Sequence, residues 1–236
     1  MPVYRLTSSI VFPSPDDATH DGLLAVGGDL SSERLLLAYQ LGIFPWYAEG
    51  QPILWWSPDP RLVLDPRDFH TTRRLRQTLK KGTFEVTFDT AFAEVIQGCA
   101  AAPRKGQEGT WITPEMEQAY IRLHEQGFAH SVESWWNGHL VGGVYGVSLG
   151  RCFFGESMFF RKTDASKVAF AALIEQLKRW DFHMIDAQVT TEHLLRLGAK
   201  EIPRRVFLQR LRKSLRFPTL QGKWNNIIES KTDSGL

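Results

Sequence analysis

Residues 129 to 159 constrain the fold more than any other stretch. Apolar and polar residues alternate over Ala129 to Trp136, His139 to Ser148 and Arg151 to Phe159, and only Asn137-Gly138 and Leu149-Gly150 separate these runs. Asn-Gly readily takes positive φ at both central positions of a hairpin turn. Connections this short leave only antiparallel pairing, because a parallel crossover needs a dozen or more residues. The segment is therefore predicted to be a three-stranded antiparallel meander. Thr163 or Asp164 then caps a helix with Val168, Ala169, Ala172, Leu173 and Leu177 on its apolar side. A short strand is expected over His183 to Val189. Thr190 or Thr191 caps a further helix that Gly198 ends, and a last helix follows Pro203, with Phe207, Leu208, Leu211 and Leu215 on one side.

Upstream, the pattern predicts a basic helix over Thr71 to Lys81 and a strand over Phe84 to Phe88. Asp89 is expected to cap a helix through Ile96, and Thr113 a helix from Pro114 to Glu125 that Gly127 stops. The first sixty residues differ. Phe12-Pro13-Ser14-Pro15, Gly27-Gly28-Asp29, Phe44-Pro45-Trp46 and Trp56-Ser57-Pro58-Asp59-Pro60 all interrupt regular structure. One helix stands out there, capped by Asp29 or Ser31, with Leu35, Leu36, Ala38 and Tyr39 on its apolar face and Gly42 at its end. The expected division is a small N-terminal domain over 1–65 and a larger domain over 66–236, frayed after Ser230. The predicted class is α+β, with a mostly antiparallel sheet flanked by helices. A meander followed by a helix and another strand is the order of acetyltransferase-like (GNAT) proteins, but layout alone does not decide chemistry.

Composition excludes several classes. The 28 basic and 26 acidic side chains leave a charge of +2, which by itself demands neither nucleic acid nor membrane. The charges are nevertheless unevenly placed. Arg61 to Lys81 holds seven basic residues against two acids, Arg204 to Lys231 holds eight against one, and Gly82 to Phe159 holds nine acids against four bases. Two basic segments around a more acidic centre suit a polyanion docking at two places, or else ordinary solvated helix faces. Cys99 and Cys152 are too few for a disulfide framework, which fits a reducing cytoplasm. No stretch of about 18 apolar residues occurs, and the first residues lack the pattern of a signal peptide. The 8 Trp and 15 Phe are expected to line a core or a pocket.

Standard sites fail on spacing. His124-Glu125-Gln126 begins like a zinc-protease motif, but the next histidine is His130, where a helix would need a four-residue interval. Gly142-Gly143-Val144-Tyr145-Gly146 lies inside a strand, so its glycines suit a bulge or a close backbone approach. Ser157, Asp186 and His193 could be drawn as a triad, but Ser157 lacks the second glycine of a nucleophile elbow. Phe160 to Ser166 has no glycine to cradle the pyrophosphate of acetyl-CoA. Polar residues inside an aromatic frame remain. In Met184-Ile185-Asp186-Ala187-Gln188, strand alternation puts Asp186 and Gln188 on one face, about 7 Å apart, with Ile185 and Ala187 on the other. Glu156 sits among apolar neighbours and must be paired or await a cation. Backbone partners for Asp186 and Gln188, and Lys167 for Glu156, are the alternative uses of these residues.

Seven motifs in consistent order carry a resemblance. They are Gly27-Gly28-Asp29-Leu30, Gly42-Ile43-Phe44-Pro45-Trp46, Leu54 through Arg61, Gly109-Thr110-Trp111-Ile112-Thr113, Gly155-Glu156-Ser157-Met158-Phe159, Ala165-Ser166-Lys167 and Ile202-Pro203-Arg204-Arg205. From about residue 8 to about residue 220 the chain resembles the bacterial leucyl/phenylalanyl-tRNA–protein transferase family. The resemblance implies a small N-terminal domain joined to a GNAT-like domain. It also implies a cytoplasmic aminoacyltransferase moving Leu or Phe, less readily Met, from aminoacyl-tRNA to the α-amine of proteins with N-terminal Arg or Lys, which marks them for N-degron degradation. No cofactor or metal is implied, and no membrane; a monomer is expected. The family's Asp-Cys-Gln stretch falls on Asp186-Ala187-Gln188, so both polar catalytic members match and no thiol is needed. Glu156 matches the acidic residue near the acceptor. Trp46 and Trp111 match aromatics of the aminoacyl pocket, to which Val144, Phe170, Leu173 and Leu177 are added as its apolar lining. Arg73, Arg74, Arg76, Lys80, Lys81, Arg204 and Arg205 are the expected tRNA-binding residues. Two rival readings stay open at this point, an acetyl-CoA-dependent N-acyltransferase and a non-catalytic RNA-binding module.

Overall fold

The computed structural model describes residues 3–103 and 110–233, so Gly109 of the fourth motif lies outside the described residues. The chain begins with β1 (Tyr4–Leu6), β2 (Leu23–Gly27), α1 (Ser32–Gln40), β3 (Phe44–Pro45) and β4 (Leu54–Trp56). These strands form a small sheet in the order β1-β2-β4-β3. Ser31 caps α1 by accepting from the Arg34 N–H. Next come β5 (Arg61–Leu64), α2 (Arg73–Lys81), β6 (Glu85–Phe88), α3 (Phe92–Ala100), α4 (Pro114–Glu125), β7 (Ala129–Trp136), β8 (His139–Leu149) and β9 (Cys152–Phe160). The remainder is α5 (Ala165–Arg179), β10 (Met184–Gln188), α6 (Glu192–Leu195), β11 (Lys200–Ile202), α7 (Arg204–Ser214) and α8 (Trp224–Asp233). The large sheet runs β11-β5-β10-β9-β8-β7-β6, with β9 and β10 parallel and its other neighbours antiparallel.

The meander forms as predicted, with Asn137 and Gly138 at φ 51° and 76° in its first turn. Alternation along it sends side chains to two cores. Tyr145, Val147 and Phe154 join Phe92 and Val95 of α3 and Tyr120 of α4 on one face. Val144 and Phe153 join Phe170, Leu173 and Leu177 of α5 on the other. The first core also contains Leu24, Tyr39 and Trp55, so the small sheet and the large one share apolar packing. Gly146 permits a close approach: a Cβ there would lie 2.1 Å from the Phe154 carbonyl oxygen. Beside it β9 bulges, since Tyr145 pairs with Ser157 but Gly146 pairs with Gly155. Glu156 is the extra residue, released from the ladder.

Several expectations are corrected. β5 lies within the span expected for the small domain, yet it pairs with β10 and β11 in the large sheet. Asp89 does not cap α3. It has φ 55°, and its carboxylate accepts from Ser131 N–H, His130 Nδ1 and Trp224 N–H, tying α8 to the sheet. α8 itself was not expected, and fully buried Trp224 anchors it by stacking on His130 with ring centroids 3.9 Å apart. Asp164 precedes α5 without a side-chain capping bond and instead pairs with Lys167 and Arg74. Lys167 is thereby engaged away from Glu156.

Candidate active site

Parallel pairing of β9 with β10 ends at Phe154 opposite Asp186, although β9 continues to Phe160. Beyond that point lies a cavity of about 450 Å³. Phe44, Pro45 and Trp46 line it from the small sheet, and Trp111 from the segment before α4. Leu64, Val144, Met158, Phe170, Ile185 and Ala187 add apolar wall from the large sheet and α5. Gly155, Glu156, Ser157 and Gln188 supply polar atoms, and the turn into α6 adds Val189, Thr191, His193 and Leu194.

Gln188 reaches the cavity because β10 breaks its alternation. Asp186 pairs with Val63 and Gln188 with Leu62, leaving Ala187 as an extra residue, and Gln188 takes φ 56°. A non-glycine residue holds that backbone only when its surroundings fix it. Asp186 does so by accepting the Gln188 N–H at 3.0 Å. Asp186 is itself held by Arg61, which donates from Nε at 2.8 Å and from Nη2 at 2.7 Å, with both side chains fully buried. The guanidinium lies against the rings of Phe44 and Phe207, 4.9 and 4.5 Å from their centroids. The expectation that Asp186 and Gln188 share a face is therefore wrong. Gln188 joins Ile185 and Ala187 at the cavity, while the Asp186 carboxylate is not among the lining groups and positions Gln188 from behind.

Gln188 Nε2 donates to Glu156 Oε1 at 2.9 Å. Behind Glu156, Tyr39 from α1 donates to Oε1 at 2.8 Å, Tyr120 from α4 donates to Oε2 at 3.1 Å, and the two hydroxyls touch each other. Both tyrosines are fully buried. Burial pushes the Glu156 carboxyl up to about 7, with the Asp186 charge adding to the rise and the two hydroxyl bonds opposing it. Burial, with Glu156 next, drives both phenols well above their ordinary range. His193 at the cavity edge is held below the usual imidazole range by desolvation, then by Lys167 and Arg196.

Of the expected pocket residues, Trp46, Trp111, Val144 and Phe170 line the cavity, while Leu173 and Leu177 do not. Those two lie further along α5 and are fully buried in the core beneath it. The expected tRNA-binding residues also divide. Arg73, Arg76, Lys80, Lys81 and Arg205 are exposed. Arg74 is exposed but pairs with Asp164 at 3.0 Å. Arg204 is spoken for: its Nη1 donates to the Ser57 carbonyl at 2.6 Å and its N–H to Asp59 at 3.0 Å, so it fastens α7 to the loop before β5. Arg61, counted in the basic run, is buried against Asp186 and cannot meet a phosphate. The site groups not anticipated are Arg61, Tyr39, Tyr120 and Phe44. The one available signal was Arg61 abutting Leu62-Val63-Leu64, a cation at the edge of a wholly apolar strand.

Comparison with known proteins covers most of the chain. The family model described as leucyl/phenylalanyl-tRNA protein transferase matches residues 63–212, and the model of that family's N-terminal domain matches residues 28–59. The chain is 61% identical over 225 residues to the leucyl/phenylalanyl-tRNA–protein transferase of Desulfatibacillum aliphaticivorans, covering 95% of this chain and 97% of that relative. It is 57% identical to the protein of the same name from Myxococcus xanthus, with 95% and 97% covered. The identity to that of Thermodesulfovibrio yellowstonii is 56%, with 98% and 96% covered. A cleft lined by aromatic side chains and edged by a linked glutamate and glutamine thus lies in a chain that belongs to the leucyl/phenylalanyl-tRNA protein transferase family of aminoacyltransferases.

Proposed function

We propose that this protein moves Leu or Phe, and less readily Met, from aminoacyl-tRNA onto the α-amine of proteins that begin with Arg or Lys. The observation that carries this reading is the single cavity that joins an apolar wall to Glu156 and Gln188, themselves linked at 2.9 Å. Burying a Leu or Phe side chain against Trp46, Trp111, Val144 and Phe170 is worth about 1.5–3 kcal/mol. Size discrimination in such a wall is modest, about 1–3 kcal/mol per methylene, which leaves room for Met.

The reaction is aminolysis of an ester that already stores its driving force. Holding amine and carbonyl about 3–3.5 Å apart can supply roughly 7–11 kcal/mol. Because Gln188 Nε2 faces Glu156, its amide oxygen is left to accept a hydrogen bond from the attacking amine. Asp186 and Arg61 keep Gln188 in place, and Glu156 receives the cationic amine of the acceptor. The exposed cations of α2, with Arg205, hold the tRNA by its phosphates, contacts that carry no sequence information. The protein acts as a monomer in the cytoplasm and marks its products for N-degron degradation. Among the described residues no helix is long and apolar enough to cross a membrane, which suits a reaction on soluble substrates.

The test combines purified protein, Phe-tRNA and a peptide beginning with Arg, read by mass spectrometry. One added Phe on the α-amine is expected. Its absence, with the Phe-tRNA still intact, overturns the reading.

A further inference from the structure

A neutral amide such as Gln188 is a poor base, and the α-amine it meets, with a reference pKa of about 7.7–8.0, arrives mostly as an ammonium at neutral pH. A group that takes its surplus proton enlarges the reactive fraction, and the contacts behind the cavity wall single one out. Three oxygen-bearing groups, Glu156, Tyr39 and Tyr120, make three mutual contacts. Each hydroxyl carries one proton, and an ionised carboxylate carries none. With Glu156 ionised, two protons serve three contacts, and one pair of oxygens meets with no proton between. With Glu156 protonated the ring closes: Glu156 donates to Tyr39, Tyr39 to Tyr120, and Tyr120 to the second carboxyl oxygen. The tyrosines are fully buried, so water does not supply the missing proton.

We propose that Glu156, closed into a ring with Tyr39 and Tyr120, is the proton acceptor for the incoming ammonium, and that the two tyrosines are positioning residues for that step. This rests on the transfer reaction proposed above and assigns its base. The ammonium gives one proton to the Glu156 carboxylate, leaving a neutral amine and a neutral carboxyl. The amine lone pair forms the C–N bond at the ester carbonyl. The acyl C–O bond breaks, and the second proton on nitrogen passes to the departing ribose oxygen. Glu156 then returns its proton to water. Its electrostatic surroundings are Tyr39 from α1, Tyr120 from α4, Gln188 and Asp186 from β10, and Arg61 from β5. Asp186 favours the neutral carboxyl and Arg61 opposes it. A carboxyl titrating at about 7 is suited to exchange protons with an amine at cellular pH.

The ring makes a prediction that independent hydrogen bonds to Glu156 do not make. Removing a donor from a carboxylate ordinarily raises its titration midpoint. Opening the ring removes two neutral bonds from the neutral form and one charge-assisted bond, about twice as strong, from the ionised form, so the two losses nearly cancel. The Glu156 carboxyl is followed by carbon NMR in the free protein, assigned with Glu156→Gln. Tyr39→Phe and Tyr120→Phe are each expected to leave its midpoint nearly in place; a rise of about one unit, the tenfold change that loss of an independent donor would cause, overturns the ring. The base role is read separately, from single-turnover transfer at saturating acceptor. Glu156→Gln should slow transfer to an ordinary Arg peptide by up to about 10-fold at pH 7, where only roughly a tenth of the amine is already neutral. A peptide whose N-terminus is an aminooxy group, uncharged at that pH, should lose less than about 2-fold, since it brings no surplus proton. Equal losses with both acceptors overturn the assignment. A wild-type protein that forms no product refutes the transfer reaction itself and leaves the titration result standing.

Discussion

Two acidic corners flank Gln188, and they are built in opposite ways. At one, Asp186 faces a guanidinium through two bonds of 2.8 and 2.7 Å, wholly out of water. At the other, Glu156 faces two phenols and an amide, none of them charged. A carboxylate held by two bonds to a buried guanidinium serves as an anchor. A carboxyl among neutral donors, raised by burial to about 7, changes charge within the range where the enzyme works. The two corners lie on adjacent strands, so the difference comes from the partner each side chain meets and not from depth alone. The lesson is that one carboxylate holds the geometry while the other handles the proton.

The contrast breaks most forcefully at the anchor. Arg61→Met leaves Asp186 buried without its partner, and the expected loss is about 3–5 kcal/mol of unfolding free energy, measured by denaturant titration. Arg61→Met combined with Asp186→Leu removes both charges and should recover much of that loss while still impairing transfer, because Gln188 loses its support. The second test concerns pH. Folding raises the Glu156 carboxyl from 4.5 to about 7, so the folded state binds the proton more tightly. Its stabilising contribution is therefore complete below about pH 4.5 and is lost as the pH rises through 7. Glu156→Gln, which stays neutral, should gain up to about 3 kcal/mol relative to wild type between pH 4.5 and pH 8, by denaturant midpoints at each pH.

A smaller effect extends the contrast to the surface, where some cations are matched and others face water. Arg73→Ala and Lys80→Ala should each reduce the slope of log affinity for tRNA against log salt by about 1. Arg204→Ala, whose guanidinium is committed to Ser57, should change stability while leaving that slope alone. Equal slope changes for all three would erase the distinction.

Much of this was legible before folding. The Asn137-Gly138 turn and the flanking alternation determine the meander, because local turn geometry and period-two burial act over neighbouring residues. Helix limits followed from Ser31, Thr113 and Thr191, each of which accepts a capping bond from the first turn. The apolar cavity wall was partly legible too, since Trp46, Trp111, Val144 and Phe170 all reach it. Leu173 and Leu177 were misassigned because helical period shows only that a residue is covered, and core and cavity both cover it.

The strand order of the meander, the caps and the presence of polar residues in an aromatic frame are each set by residues a few positions apart. What those polar residues do depends on contacts between distant segments. The partner of Asp186 lies 125 residues away and the hydroxyl that meets Glu156 from α1 lies 117 away, distances over which no periodicity carries information. The bulges at Glu156 and Ala187, which turn one side chain toward the cavity and leave its neighbour behind, arise from pairing between strands. Charge state in a buried site belongs to the set of groups that closes around it, and that set exists only once the chain has folded.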